Sequence, residues 1–137
     1  MSQPLFHAAL SFAAAAIVLK GTGLPGELAF AAAIFSLLMD LDSVLSPNVR
    51  FETSLHSVPF LALCYALLPA LHLAGLPLPL CAVPALAASA HLAQDILHGE
   101  PFRPGISVID SGRWHRPGAA RALDLFGLVL AFFAIML

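Results

Sequence analysis

The sequence predicts an all-α fold: a multi-pass transmembrane bundle of about five helices, forming a single integral membrane domain over residues 1–137. Three observations carry that expectation. The chain is 60 % hydrophobic and only 10 % charged, with a mean hydropathy of +0.92, whereas soluble domains run about 45–50 % apolar and about 25 % charged. Its apolar residues fall into five runs separated by glycine and proline. Those runs are dominated by alanine and leucine without period-two alternation, which favours helices over the strands of a closed barrel.

Each run ends for a local reason. The first extends from about Pro4 to Leu19 and stops at Lys20-Gly21-Thr22-Gly23, with Pro25 and Gly26 beyond. The second covers about Glu27 to Leu41 and is closed by Ser46-Pro47-Asn48. A third runs from near Ser54 to Leu73 and ends at Gly75 ahead of Pro77 and Pro79. The fourth occupies about Leu80 to His98 before Gly99, and the fifth begins near Ala119 and reaches Leu137. Pro59 suits a first helical turn, while Pro69 and Pro84 are expected to kink their helices. The first two runs are short against the roughly 17–25 residues that span a bilayer, so they tilt little or the bilayer thins around them.

Composition also excludes function classes. A net charge of −2 and a pI near 6.3 lack the clustered Lys and Arg of a nucleic-acid partner. Cys64 and Cys81 lie inside apolar runs with no CxxC spacing, which reads as interior packing and not redox or thiolate-metal chemistry. Met1-Ser2-Gln3 lacks the positive start of a secretory signal, so the first run is expected to be retained as a span. With five spans, Arg50, Arg103, Arg113, Arg116 and Arg121 share one side and Lys20 lies on the other, which puts the N-terminus in the cytoplasm. Membrane lipids are the expected surroundings.

Ionisable groups inside membrane helices are costly and usually functional. His7 lies in the first turns of helix one, Asp40 and Asp42 close helix two, and His56 opens helix three. His91, Asp95 and His98 fall near the end of helix four, and Asp124 lies one turn into helix five. Because successive helices alternate in direction, all of these are expected at one end of the bundle, with His72 alone at the other. His91, Asp95 and His98 stand at i, i+4 and i+7, which places them on one helix face. Irregular backbone at Asp40-Leu41-Asp42 would bring two carboxylates towards that face, and His56 would complete the shell across a tight return. Imidazole and carboxylate together suit a divalent cation: zinc, manganese or iron(II). Each residue alone has an ordinary explanation as a packing histidine, a helix cap or a plain ion pair. Their convergence from three helices in so apolar a chain is what points to a metal.

Asp40-Leu41-Asp42 after an apolar helix, His56-Ser57 opening the next, and His91-Leu92-Ala93-Gln94-Asp95-Ile96-Leu97 together resemble the membrane-bound metal-dependent hydrolase family, which includes LexA-regulated inner-membrane hydrolases. That family carries an early histidine, matched here by His7, and is distantly related to zinc-dependent phospholipase C and the P1-type nucleases. The chain departs from its pattern at Met39, where proline is usual, and at Ser43, where histidine is usual. Only His56-Ser57 remains of the box around the central histidine, and His98-Gly99-Glu100-Pro101 replaces a Thr-Pro.

The resemblance implies a hydrolase with a divalent ion, zinc first, held by Asp42, His56, His91 and Asp95, with Asp40 and His7 in reserve. Asp40 would orient the nucleophilic water, or would join His7 or His98 in holding a second ion. Arg50 and Arg103, with Arg113 and Arg116, would bind a phosphate bidentately or contact headgroups. Trp114 would anchor at the interface and His115 offers a late ligand. The expected substrate is a phosphoester on a lipid or lipid-linked molecule. A metal-stapled scaffold without catalysis, or a small transporter, are the alternatives. A transporter would carry polar groups through the full depth, where the far half offers only Lys20, Glu27 and His72.

Overall fold

The computed structural model of the chain describes residues 4–45, 54–98 and 116–136. Among the described residues the fold is all-α, and the five expected helices are present: α1 (Pro4–Gly21), α2 (Phe30–Leu45), α3 (Val58–Leu73), α5 (Val83–His98) and α6 (Pro117–Met136). A single turn, α4 (Leu78–Cys81), precedes α5, and 3-10 turns at Gly26–Ala29 and Ser54–His56 lead into α2 and α3.

The two glycine-rich stops share one chemistry. Gly23 adopts φ +78°, and the amides of Gly23 and Leu24 donate to the carbonyls of Lys20 and Leu19 at 3.0 and 2.9 Å. Gly75 adopts φ +96°, and the amides of Gly75 and Leu76 donate to His72 and Leu71 at 3.0 and 3.2 Å. Both are Schellman closures, in which a left-handed glycine lets the last carbonyls be satisfied, and Pro25 and Pro77 follow because they cannot continue a helix. At the start of α3 the Ser57 hydroxyl accepts the Phe60 amide at 3.3 Å, with Pro59 in the first turn as expected.

Two expectations need correction. Pro84 does not kink a continuous helix: the break falls at Ala82, and Pro84 sits in the first turn of α5, where its missing N–H costs nothing. The helical path also does not loosen at Asp40-Leu41-Asp42, since α2 runs on to Leu45. Pro69 lies within α3, which continues on both sides of it.

Helices α1 and α5 form the centre. α1 packs against α2, α5 and α6, and α5 against α1, α2, α3 and α6. The contacts give the directions. His7 meets Asp40 and Ser11 meets the carbonyl of Ala87, so α1 runs antiparallel to α2 and α5. Lys20 Nζ donates to the Ala134 carbonyl at 2.6 Å, while Leu10 lies against Gly127, so α1 and α6 run parallel. The first turns of α1, the last turns of α2 and α5 and the turn before α3 therefore share one end.

Packing is inverted relative to a soluble protein. The buried core is small: Ala15, Ala16, Ala29, Ala32 and Ala87 around Phe12, Leu19 and Val83, with a second cluster of Met39, Cys64, Ala85, Ala88 and Leu92. Large apolar side chains point outward instead, among them Ile17, Ile34, Leu63, Phe126, Phe132 and Ile135. Small residues inside let helix backbones approach, and lipid tails accept the large ones. Among the described residues, three helices are long and apolar enough to cross a membrane: Pro4–Gly21, Leu78–His98 counted through its turn, and Pro117–Met136. The chain is a membrane protein. Cys64 and Cys81 are buried free thiols, as expected.

α6 lies close against α1 at Gly127, where an added Cβ would stand 3.1 Å from Leu10 Cβ and 3.3 Å from its Cα. Gly127→Leu is expected to push α6 away from α1 at a cost of about 1–3 kcal/mol. Thermal unfolding in detergent micelles should show a lowered midpoint for this variant and an unchanged one for Phe132→Leu, whose parent side chain is exposed.

Candidate metal centre

Among the described residues, histidines and carboxylates gather at the shared end. α1 delivers His7, α2 delivers Asp40, the 3-10 turn before α3 delivers His56, and α5 delivers His91 and Asp95. His7, His91 and Asp95 are buried, while Asp40 and His56 are partly exposed and mark the open side.

The Asp95 carboxylate is the centre of the cluster. His7 Nε2 stands 3.3 Å from its Oδ1; His91 Nε2 and His56 Nε2 stand 3.3 and 3.6 Å from its Oδ2. Three imidazoles from three different elements thus turn the same nitrogen to one carboxylate. His56 Nε2 and His91 Nε2 are also only 3.0 Å apart, and the His7 and His91 rings meet edge to face at 4.2 Å. On the α2 side, Asp40 accepts from His7 Nδ1, with both carboxylate oxygens at 3.2 Å, and its Oδ1 lies 3.6 Å from His91 Nε2. Ser36, fully buried one turn before Asp40, hydrogen-bonds His91 Nδ1 at 3.0 Å.

These residues fit a divalent cation. Tetrahedral zinc with ligands at about 2.0–2.1 Å sets neighbouring donor atoms about 3.3 Å apart, and the Nε2 and Oδ2 atoms of His56, His91 and Asp95 are spaced at 3.0, 3.3 and 3.6 Å. His7, Asp40 and His91 offer a second, overlapping group, the donor atoms of each group lying within 4.8 Å of one another. Both groups use His91, whose Nδ1 is engaged by Ser36, so its Nε2 can serve one ion only.

The structure therefore brings together His7, Asp40, His56, His91 and Asp95 of the expected set. Asp42 continues the α2 backbone, but its side chain lies outside what the structure describes, as do Arg50, Arg103, Arg113, Trp114 and His115. His98 is not brought to the cluster. Its Nε2 pairs with Asp124 of α6 at 3.1 and 3.2 Å, and Gln94 Nε2 donates to the same carboxylate at 3.0 Å. Gln94 and His98 are themselves one turn apart, so the end of α5 carries two polar stripes: one towards the metal-fitting cluster and one towards α6. His72 lies at the far end, as expected, against the Leu76 carbonyl at 3.1 Å. Sequence reasoning missed Ser36 and Gln94. Ser36 stands at i−4 from Asp40 within an apolar run, a spacing that marks it in retrospect. Arg116 is exposed at the start of α6, where its amide donates to the Leu97 carbonyl at 3.1 Å.

Comparison with protein-family models, curated proteins and solved structures finds no match for this chain. The geometry stands on its own residues.

The α5–α6 stripe is separable from the cluster by mutation. Asp124→Ala removes the shared acceptor of buried Gln94 and His98, with an expected destabilisation of about 1–2 kcal/mol, whereas Asp124→Asn keeps an acceptor oxygen and is expected to lose less. Unfolding midpoints of the two variants in one detergent give the ordering.

Proposed function

We propose that this chain is an integral-membrane, metal-dependent hydrolase acting on a phosphoester of a lipid or lipid-linked substrate. Its site and N-terminus face the cytoplasm, and all five long helices cross the bilayer. The observation that carries the reading is the ring of three Nε2 atoms around the buried Asp95 carboxylate, at one end of an otherwise apolar bundle. The resemblance of the Asp40-Leu41-Asp42, His56-Ser57 and His91-to-Leu97 segments to membrane-bound metal-dependent hydrolases supports it. So does the excess of arginine that the five-span topology places on that side.

His7, His56, His91 and Asp95 would hold the ion, zinc first and manganese or iron(II) as alternatives. A divalent cation there supplies Lewis acidity, polarising a phosphoryl oxygen and making water a competent nucleophile near neutral pH. The residues supply the rest. Burial of His7, His91 and Asp95 keeps bulk water from one side of the centre. His56, on a short turn and partly exposed, leaves the side on which a phosphate group would enter. It is also the donor best placed to yield if a position must open. A site at the ends of the helices suits a headgroup phosphoester, whose anionic oxygens Arg50, Arg103 and Arg116 would neutralise.

Four protein donors also suit a closed structural site. On that second reading the ion staples α1, α5 and the turn before α3, and no turnover follows.

Protein purified without chelators is expected to contain near-stoichiometric transition metal by elemental analysis, and His91→Ala to contain none. Hydrolysis of phospholipid or lipid-linked phosphoesters in mixed micelles should disappear on chelation and return with zinc. Full metal occupancy in His91→Ala would refute the assignment; bound metal whose removal lowers stability, with no hydrolysis, would favour the staple.

A further inference from the structure

Among the described side chains, the end of α2 brings Ser36 and Asp40 to the cluster, and both address the histidines from behind. Ser36 and Asp40 are one turn apart, on the same face of the helix. Ser36 Oγ lies 3.0 Å from His91 Nδ1, and the Asp40 oxygens lie 3.2 Å from His7 Nδ1. In each case the opposite ring nitrogen, Nε2, is the one turned to Asp95, at 3.3 Å. A neutral imidazole carries one proton, so an acceptor at Nδ1 fixes the tautomer and leaves the Nε2 lone pair for a metal. Outer groups that orient a ligand histidine in this way raise its basicity as well as aiming it.

We infer that Ser36 and Asp40 are positioning residues: neither is a ligand, and they hold His91 and His7 by Nδ1 so that both present Nε2 to the same ion. The inference rests on the metal-centre reading above and assigns Asp40 a role different from that of ligand or water-orienting base. The alternative role for Asp40 follows from its Oδ1 lying 3.6 Å from His91 Nε2, which would let it coordinate directly. The two roles differ chemically. A positioning carboxylate can be replaced by the amide of asparagine, whose carbonyl still accepts from Nδ1–H. A ligand carboxylate cannot, because a neutral amide oxygen is a poor donor to zinc.

Zinc titration against a competing chromophoric chelator, on the full chain in detergent, separates them. Ser36→Ala and Asp40→Ala are each expected to weaken zinc by about 10–100-fold with stoichiometry unchanged. Asp40→Asn should recover most of the Asp40→Ala loss, and X-ray absorption should count the same number of imidazoles in wild type, Ser36→Ala and Asp40→Asn. Asp40→Asn as damaging as Asp40→Ala would overturn the inference and make Asp40 a ligand. Unchanged affinity in Ser36→Ala would overturn it for Ser36.

A second measurement does not need the metal. Nitrogen-15 spectra of histidine-labelled, metal-free protein should show His91 protonated at Nδ1, with the proton redistributed between the two nitrogens in Ser36→Ala. A wild-type His91 protonated at Nε2, or a Ser36→Ala spectrum identical to wild type, contradicts the inference. A wild-type chain that takes up no divalent ion, yet shows this tautomer shift, would sink the hydrolase reading and leave the positioning of His91 standing.

Discussion

A carboxylate buried in an apolar bundle is the constraint that organises this molecule. Asp95 is 4 % exposed on a helix long and apolar enough to cross a membrane, where an uncompensated charge costs several kcal/mol. The fold meets that cost with imidazoles from α1, from the turn before α3 and from α5 itself. Such a meeting requires the start of one helix and the ends of others to coincide. The alternating direction of the chain, set by the closures at Gly23 and Gly75, provides it.

The inverted core makes the meeting physically possible. Imidazole and carboxylate side chains reach only a few ångströms, so helices carrying them must lie close together. Alanine on α1, α2 and α5 permits that spacing, while leucine, isoleucine and phenylalanine are displaced to the lipid-facing surface. Polar groups are then concentrated in two stripes at the end of α5. His91 and Asp95 look towards α1, α2 and the turn before α3; Gln94 and His98 look towards Asp124 of α6. One stripe fits an ion and the other ties down the last helix.

Much of this was legible in the chain. Glycine located the ends of α1 and α3, because the left-handed closures at Gly23 and Gly75 depend on local backbone conformation alone. The convergence of His7, Asp40, His56, His91 and Asp95 followed from counting spans, since alternation fixes which end each residue occupies. What depended on tertiary contact was harder to read. Pro84 looked like a kink because nothing local distinguishes a helix interior from a first turn restarted after a break at Ala82. His98 shares its spacing with His91 and Asp95, yet the acceptor that claims it lies on α6, remote in sequence. Ser36 gave no chemical signal by itself, because a serine in an alanine-rich run is common in membrane helices. Its importance appears only once His91 is seen beside it.

The metal centre requires that one cation occupy the space between Asp95 and the three Nε2 atoms. An anomalous-difference map from crystals of the intact chain grown with zinc and recorded at its absorption edge would show this directly. A single peak about 2.0–2.2 Å from Asp95 and from the Nε2 atoms of His7, His56 and His91 is the expected result. A map without a peak there, or with those rings turned away from Asp95, would contradict it.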